Sequence, residues 1–71
     1  MKLSELNKNK SGIITDVLDS DISIKLFEFG LLPGAEILVV NKAPFNGPIY
    51  VSVNDSLISL RKAEAETVIV D

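Results

Sequence analysis

Asp16, Asp19 and Asp21 stand close together in the chain, and hard divalent cations accept carboxylate oxygens. The glycine and terminal glutamate of a calcium loop are missing around them, whereas the end of a strand followed by the capped start of a helix suits all three. Capping is their expected role. Ferrous iron and other borderline metals favour imidazole or thiolate in part, and the chain holds no histidine and no cysteine. Structural zinc, haem, iron–sulfur clusters and disulfides therefore lack their usual ligands. Nucleophilic catalysis needs a base beside the nucleophile; Ser11 with Lys10 is the one conceivable pair, and nothing in the spacing singles it out. The phosphate loop G-x-x-x-x-G-K-[ST] is absent, and Asn41-Lys42 lacks the downstream aspartate of a guanine-reading motif. The expectation is a protein that is not an enzyme, with no catalytic, cofactor-binding or metal-ligating residue assigned.

Binding is the remaining chemistry, and it belongs to apolar side chains. Hydrophobic residues make up 46% of the chain and mean hydropathy is +0.31, high for 71 residues. Ile22, Leu26 and Phe29 repeat at i, i+4 and i+7, which predicts the core-facing stripe of a helix. Ile24 and Phe27 fall on a different face, and with Leu31 they form a candidate apolar patch for a partner protein. Phe27 covering a barrel end, with Ile24 a tolerated surface residue, explains the pattern equally well. Pro44, Phe45 and Pro48 form a second candidate, for which a stiff loop packing its own Phe is the simpler account. Tyr50 is predicted to point away from the core, as interface anchors do.

These residues need elements to hold them. Leu3-Ser4-Glu5-Leu6 predicts one short turn with Ser4 as cap and Leu3 and Leu6 as a plug. A loop over 7–12 leads into a β-branched strand, Gly12 to Leu18. Asp19-Ser20-Asp21 caps a helix from about Ile22 to Phe29, Gly30 ends it in left-handed conformation, and Pro33-Gly34 turns the chain into a strand from Glu36 to Asn41. After the loop 43–48, Ile49 to Val53 alternates cleanly. A two-residue Asn54-Asp55 turn would then set Val51 against Ile58 and Ile49 against Leu60 on one face, with Tyr50–Ser59 and Ser52–Leu57 on the other. Arg61 to Glu66 reads as a solvated helical turn, and Thr67 to Val70 as a closing strand.

About five short strands with one inserted short α-helix and a short helical turn near the C-terminus predict a mainly β fold, a small SH3-like antiparallel barrel in a single domain over 1–71. No apolar run approaches the ~18 residues of a membrane-spanning helix, and no signal peptide is visible. Net charge is −3, without the basic surplus that phosphate neutralisation asks for. Nucleic acid and direct membrane insertion are not expected as partners.

The order of motifs resembles one family. Leu3-Ser4-Glu5-Leu6, Gly12-Ile13-Ile14, the L-x-x-x-G-L-x-P-G segment from Leu26 to Gly34, Ala43-Pro44 with Gly47-Pro48-Ile49, and Ser59 through Ala65 leading into Val68-Ile69-Val70 together are similar to FeoA, the small ferrous iron transport accessory protein. That resemblance implies an SH3-like fold and a cytoplasmic protein acting with FeoB, the membrane GTPase that imports ferrous iron. It implies a peripheral position at the inner membrane face through that partner, and it carries over no defined partner site. Self-association through a strand edge or the helix face is a further expectation. The same domain type ends iron-dependent repressors. With no helix-turn-helix and no metal ligands ahead of the barrel, a stand-alone accessory protein is the better reading; a separate regulatory domain of a repressor system is the alternative, and a nucleic-acid-binding barrel a weaker one.

Overall fold

The computed structural model of the chain describes residues 1–18 and 20–71, with Ser20 described through its backbone. A single 3-10 turn, Leu3–Glu5, precedes β1 (Ser11–Val17), α1 (Ser20–Glu28), β2 (Glu36–Lys42), β3 (Ile49–Val53), β4 (Ser56–Leu60), α2 (Lys62–Ala65) and β5 (Val68–Val70). The strands form one antiparallel sheet in the order β4-β3-β2-β1-β5. Register shifts between Ile14 and Asp16 in β1, and between Val39 and Asn41 in β2, insert a residue on one side of the ladder. Such bulges bend and twist a sheet, and here they curl five strands around one core. No ladder joins β4 to β5 among the described residues, so the SH3-like barrel is left open at that seam.

The core is aliphatic. Leu3, Ile14, Leu26, Leu31, Ile37, Val39, Val51, Val53, Leu60 and Val68 are fully or almost fully buried. β3 alternates buried and half-buried residues along its length, as period-2 patterning requires. The hairpin has the expected register, with Ile49 opposite Leu60, Tyr50 opposite Ser59, Val51 opposite Ile58 and Ser52 opposite Leu57. Asn54 and Asp55 both take positive φ, 51° and 64°, the signature of the type I′ turn whose twist matches a hairpin.

Three local expectations are corrected. Ser4 lies inside the N-terminal turn, and Glu5 does the capping: its carboxylate accepts the Lys2 N–H at 2.8 Å. Phe29 is not core, being 48% exposed, because the helix stops at Glu28 and the i+7 position falls beyond the last regular turn. The segment from Arg61 to Glu66 is not simply solvated, since Glu64 and Ala65 are buried. The capping assigned to Asp19 and to the Ser20 side chain lies outside the described residues; Asp21 sits in the first turn of α1.

Candidate docking surface

The helix terminus decides which apolar side chains stay outside. Gly30 has φ +90°, a conformation that favours glycine. There the N–H of Leu31 donates to the Leu26 carbonyl and that of Gly30 to the Phe27 carbonyl, both at 3.0 Å. This six-to-one and five-to-two pair is a Schellman motif, which brings together the side chains on its two flanks. Here those side chains are Leu26 and Leu31, both fully buried. Leu31 is therefore removed from the expected patch: the motif that ends the helix swings it into the position that Phe29 was expected to fill. A β-carbon at Gly30 would also stand 2.7 Å from Asn54 Nδ2, so the helix end packs closely on the β3–β4 turn. Pro33 and Gly34 then form a turn closed by Ala35 N–H to the Leu32 carbonyl at 3.0 Å, and the Gly34 N–H fastens it to the Ile14 carbonyl at 2.7 Å.

With its inner side fixed by Leu26 and the buried Ser23, α1 turns other residues outward. Ile24 is 64% exposed and Phe27 41% exposed. Phe27 is thus not a core residue, and part of its ring stays open to solvent while the rest is covered by the domain. Ile24 and Phe27 lie at i, i+3 on a helix, one above the other, and provide an apolar flank held rigidly by the element beneath it.

The second candidate lies in the β2–β3 connection. The Ala43 N–H donates to the Pro48 carbonyl at 2.9 Å and the Gly47 N–H to the Pro44 carbonyl at 3.1 Å. Phe45 and Asn46, at the tip, both adopt positive φ, 58° and 61°. Phe45 is 98% exposed and Pro44 is exposed beside it, so the loop does not pack its own Phe. A tight turn of this geometry aims the ring away from the protein. Tyr50, half-buried, occupies the outward face of β3 opposite Ser59. The predicted residues thus fall on two elements, Ile24 and Phe27 on α1, and Pro44, Phe45 and Tyr50 on the β2–β3 hairpin, with Leu31 on neither.

A charged pair ties the helix to the short α2 segment. Lys25 Nζ lies 2.9 Å from Glu64 Oε2, and the Arg61 N–H donates to Glu64 Oε1, also at 2.9 Å. Burial pushes the Glu64 carboxyl up, but the Arg61 N–H and the Lys25 ammonium outweigh it and hold the carboxyl below its ordinary value. Nothing in the local pattern announces this pair, because its members are 39 residues apart. As for metal chemistry, the Asp16 carboxylate accepts the Val17 N–H at 2.8 Å, and no group of three or more acidic, histidine or cysteine side chains suited to a cation occurs among the described residues.

Comparison with known proteins places the chain in a family. The family model for the FeoA domain matches residues 1–71. The chain belongs to the FeoA family. It is 33% identical over 72 residues to the Fe(2+) transport protein A/Fe(2+) transporter FeoB fusion protein of Porphyromonas gingivalis, a match that takes in 100% of this chain and 8% of that protein. The chain thus spans a small part of the relative's length. Among solved structures, FeoA of Stenotrophomonas maltophilia complexed with zinc, described as a procaryotic SH3 domain protein, superposes with TM-score 0.89 at 36% identity, covering 100% of this chain and 89% of that one. The iron(II) transport protein A of Clostridium thermocellum superposes with TM-score 0.92 at 35% identity, covering 100% and 44% of the two chains. The SH3-like fold of this chain follows from these matches, and the FeoA family to which it belongs is associated with ferrous iron transport. No helix among the described residues is long and apolar enough to cross a membrane.

Proposed function

We propose that this chain is a non-enzymatic accessory module of ferrous iron uptake that docks on the cytoplasmic GTPase region of a FeoB-type transporter. The observation that carries the reading is the outward flank of α1, where Ile24 and Phe27 remain exposed on a helix whose opposite side is locked into the core. Docking of a rigid apolar flank orders little on binding, which favours association. The relative in which an FeoA segment and an FeoB transporter share one polypeptide supports the choice of partner: fusion places such a module beside the GTPase at high effective concentration. Phe45 and Tyr50 on the hairpin form a second contact region in this reading, with Phe45 the kind of exposed aromatic that anchors interfaces. The module acts from the cytoplasm and reaches the membrane through its partner.

The test is a titration of the isotope-labelled domain with the soluble GTPase region of the cognate transporter, followed by amide shifts. Perturbations centred on Ile24 and Phe27, and their loss in a folded Phe27→Asp variant, are expected. Absence of perturbation at saturating partner concentration, or unfolding of Phe27→Asp, would sink the assignment.

A further inference from the structure

The two ends of the sheet are finished differently. On the β5 side the chain covers its own edge: Lys2 bridges to Ile69, the Val70 N–H donates to the Met1 carbonyl at 2.8 Å, and the N-terminal ammonium donates to the Val70 carbonyl at 3.0 Å. On the other side β4, Ser-Leu-Ile-Ser-Leu, ends the sheet with no such cover among the described residues. It carries no charge, no proline and no bulge, the devices that ordinarily blunt an edge. The register shows which groups it presents. The two-residue loop makes Val53–Ser56 a hydrogen-bonded pair, and alternation does the same for Val51–Ile58 and Ile49–Leu60. The N–H and C=O groups of Leu57 and Ser59 are therefore directed outward.

Beside this edge runs a cleft of about 510 Å³ between β4 and α1, lined by Lys25 and Glu28 from the helix, by Phe29 just past its end, and by Ser56 to Ser59 from the strand. Leu57 is 69% exposed, and Phe29 is half-exposed with it. The lining offers one cation and one anion a single helical turn apart.

We propose that the β4 edge is a self-pairing surface, taken by β4 of a second copy of this chain in antiparallel, two-fold register. With Ile58 opposite Ile58 of the partner copy, each Leu57 meets a Ser59 across the axis, and the two outward pairs exchange four main-chain hydrogen bonds. The half-buried Ile58 side chains become a close non-hydrogen-bonded pair on the core side. A two-fold axis there sets Lys25 of each copy toward Glu28 of the other, so the charges of the cleft answer themselves. Lys25 keeps donors for this after its bond to Glu64. An edge without charge and a cleft with one charge of each sign fit a second copy better than an acidic or basic segment of another protein. The interface is small, so the dimer is expected to be weak. This pairing requires neither Ile24 nor Phe27, so its test is separate from that of the docking proposed above.

The experiment is sedimentation equilibrium of the full chain from low micromolar to millimolar concentration, with amide hydrogen exchange measured at both ends of the range. A monomer–dimer equilibrium is expected, with protection of the Leu57 and Ser59 amides rising with concentration. Leu57→Lys, an exposed substitution that leaves the core intact, should weaken the dimer about tenfold or more, and Glu28→Lys should weaken it by placing two cations together. A monomer at every concentration would overturn the proposal, as would a dimer protected elsewhere or unaffected by Leu57→Lys. Protection of Leu57 and Ser59 that appears only on adding the GTPase region would reassign the edge to that partner.

Discussion

Phe45 offers the sharpest check on the structure, because its expected effect has the opposite sign to the usual one for a large aromatic residue. The side chain is 98% exposed, so its removal forfeits almost no buried apolar area. Its backbone has φ 58°, and a left-handed conformation costs a non-glycine residue roughly 1–2 kcal/mol. Asparagine tolerates that conformation better and adds no unfolded-state entropy of the kind glycine adds. Phe45→Asn should therefore stabilise the domain by about 0.5–1 kcal/mol, a rise in Tm of roughly 2–8 °C for a domain of this size. Phe45→Val, β-branched and less able to take positive φ, should move the other way. Urea denaturation with two-state fitting measures both, and an unchanged m-value would confine the effect to stability. Were the ring packed instead, as a stiff loop folding over its own Phe would have it, Phe45→Asn would cost about 3–5 kcal/mol, as loss of a buried Phe does. Any destabilisation above about 1 kcal/mol refutes the reasoning. If the substitution stabilises the fold and weakens association with the GTPase region, then the strain is kept for the ring's contact with a partner, as strained residues at binding sites often are.

Three further outcomes follow from the helix and its ties. Leu31→Ala should lose about 2–5 kcal/mol in urea denaturation, because it opens a cavity beneath the Schellman turn, whereas Phe27→Ala, at a side chain 41% exposed, should lose less, about 1–2 kcal/mol. The lowered Glu64 carboxyl makes stability pH-dependent: its contribution is full above the ordinary glutamate range and is lost as pH falls through the lower folded value. Glu64→Gln should flatten the acid side of the stability–pH curve, and an acid limb identical to that of the parent would rule out Glu64 as its source.

Much of the fold was legible in the residues because the decisive signals are local. Asn54-Asp55 between two alternating segments left one register that kept Ile49, Val51, Ile58 and Leu60 on a single face, and that register occurs. Pro33-Gly34 marked its turn by the left-handed conformation one of its residues needs, φ +95° at Gly34. The helix was placed by period, but its face was misjudged at one end. Periodicity carries Phe29 inward only if the helix continues through it, and Gly30 ends the regular turns before that residue. The same glycine signalled the Schellman motif, and a motif of that kind buries the residue after the glycine; Leu31 was therefore readable as core from the feature used to end the helix. Glu64 could not be found this way. A charged residue in a short Lys-Ala-Glu-Ala turn reads as solvated until the fold brings Lys25 over it.

The candidate surface was legible in part for a related reason. Outward residues on a helix follow from the face that is buried, so Ile24 and Phe27 could be placed once Leu26 was placed. Loop residues have no period, and the exposure of Phe45 depends on two successive positive φ values that its sequence does not demand. The β4 edge is different again: Leu57 to Leu60 take the expected register, with Leu57 on the outward face, yet its standing as an edge is a property of strand order. A local pattern fixes which way a side chain points and not whether a neighbouring strand lies beyond it. Surplus apolar residues in so small a domain therefore divide into two groups. Some, such as Leu3 and Leu31, are absorbed by closing the core at the N-terminal turn and at the helix end. Others, such as Ile24, Phe27, Phe45 and Leu57, are held outward by elements that are themselves firmly anchored. Rigid presentation of that kind lowers the ordering cost of any association these residues make.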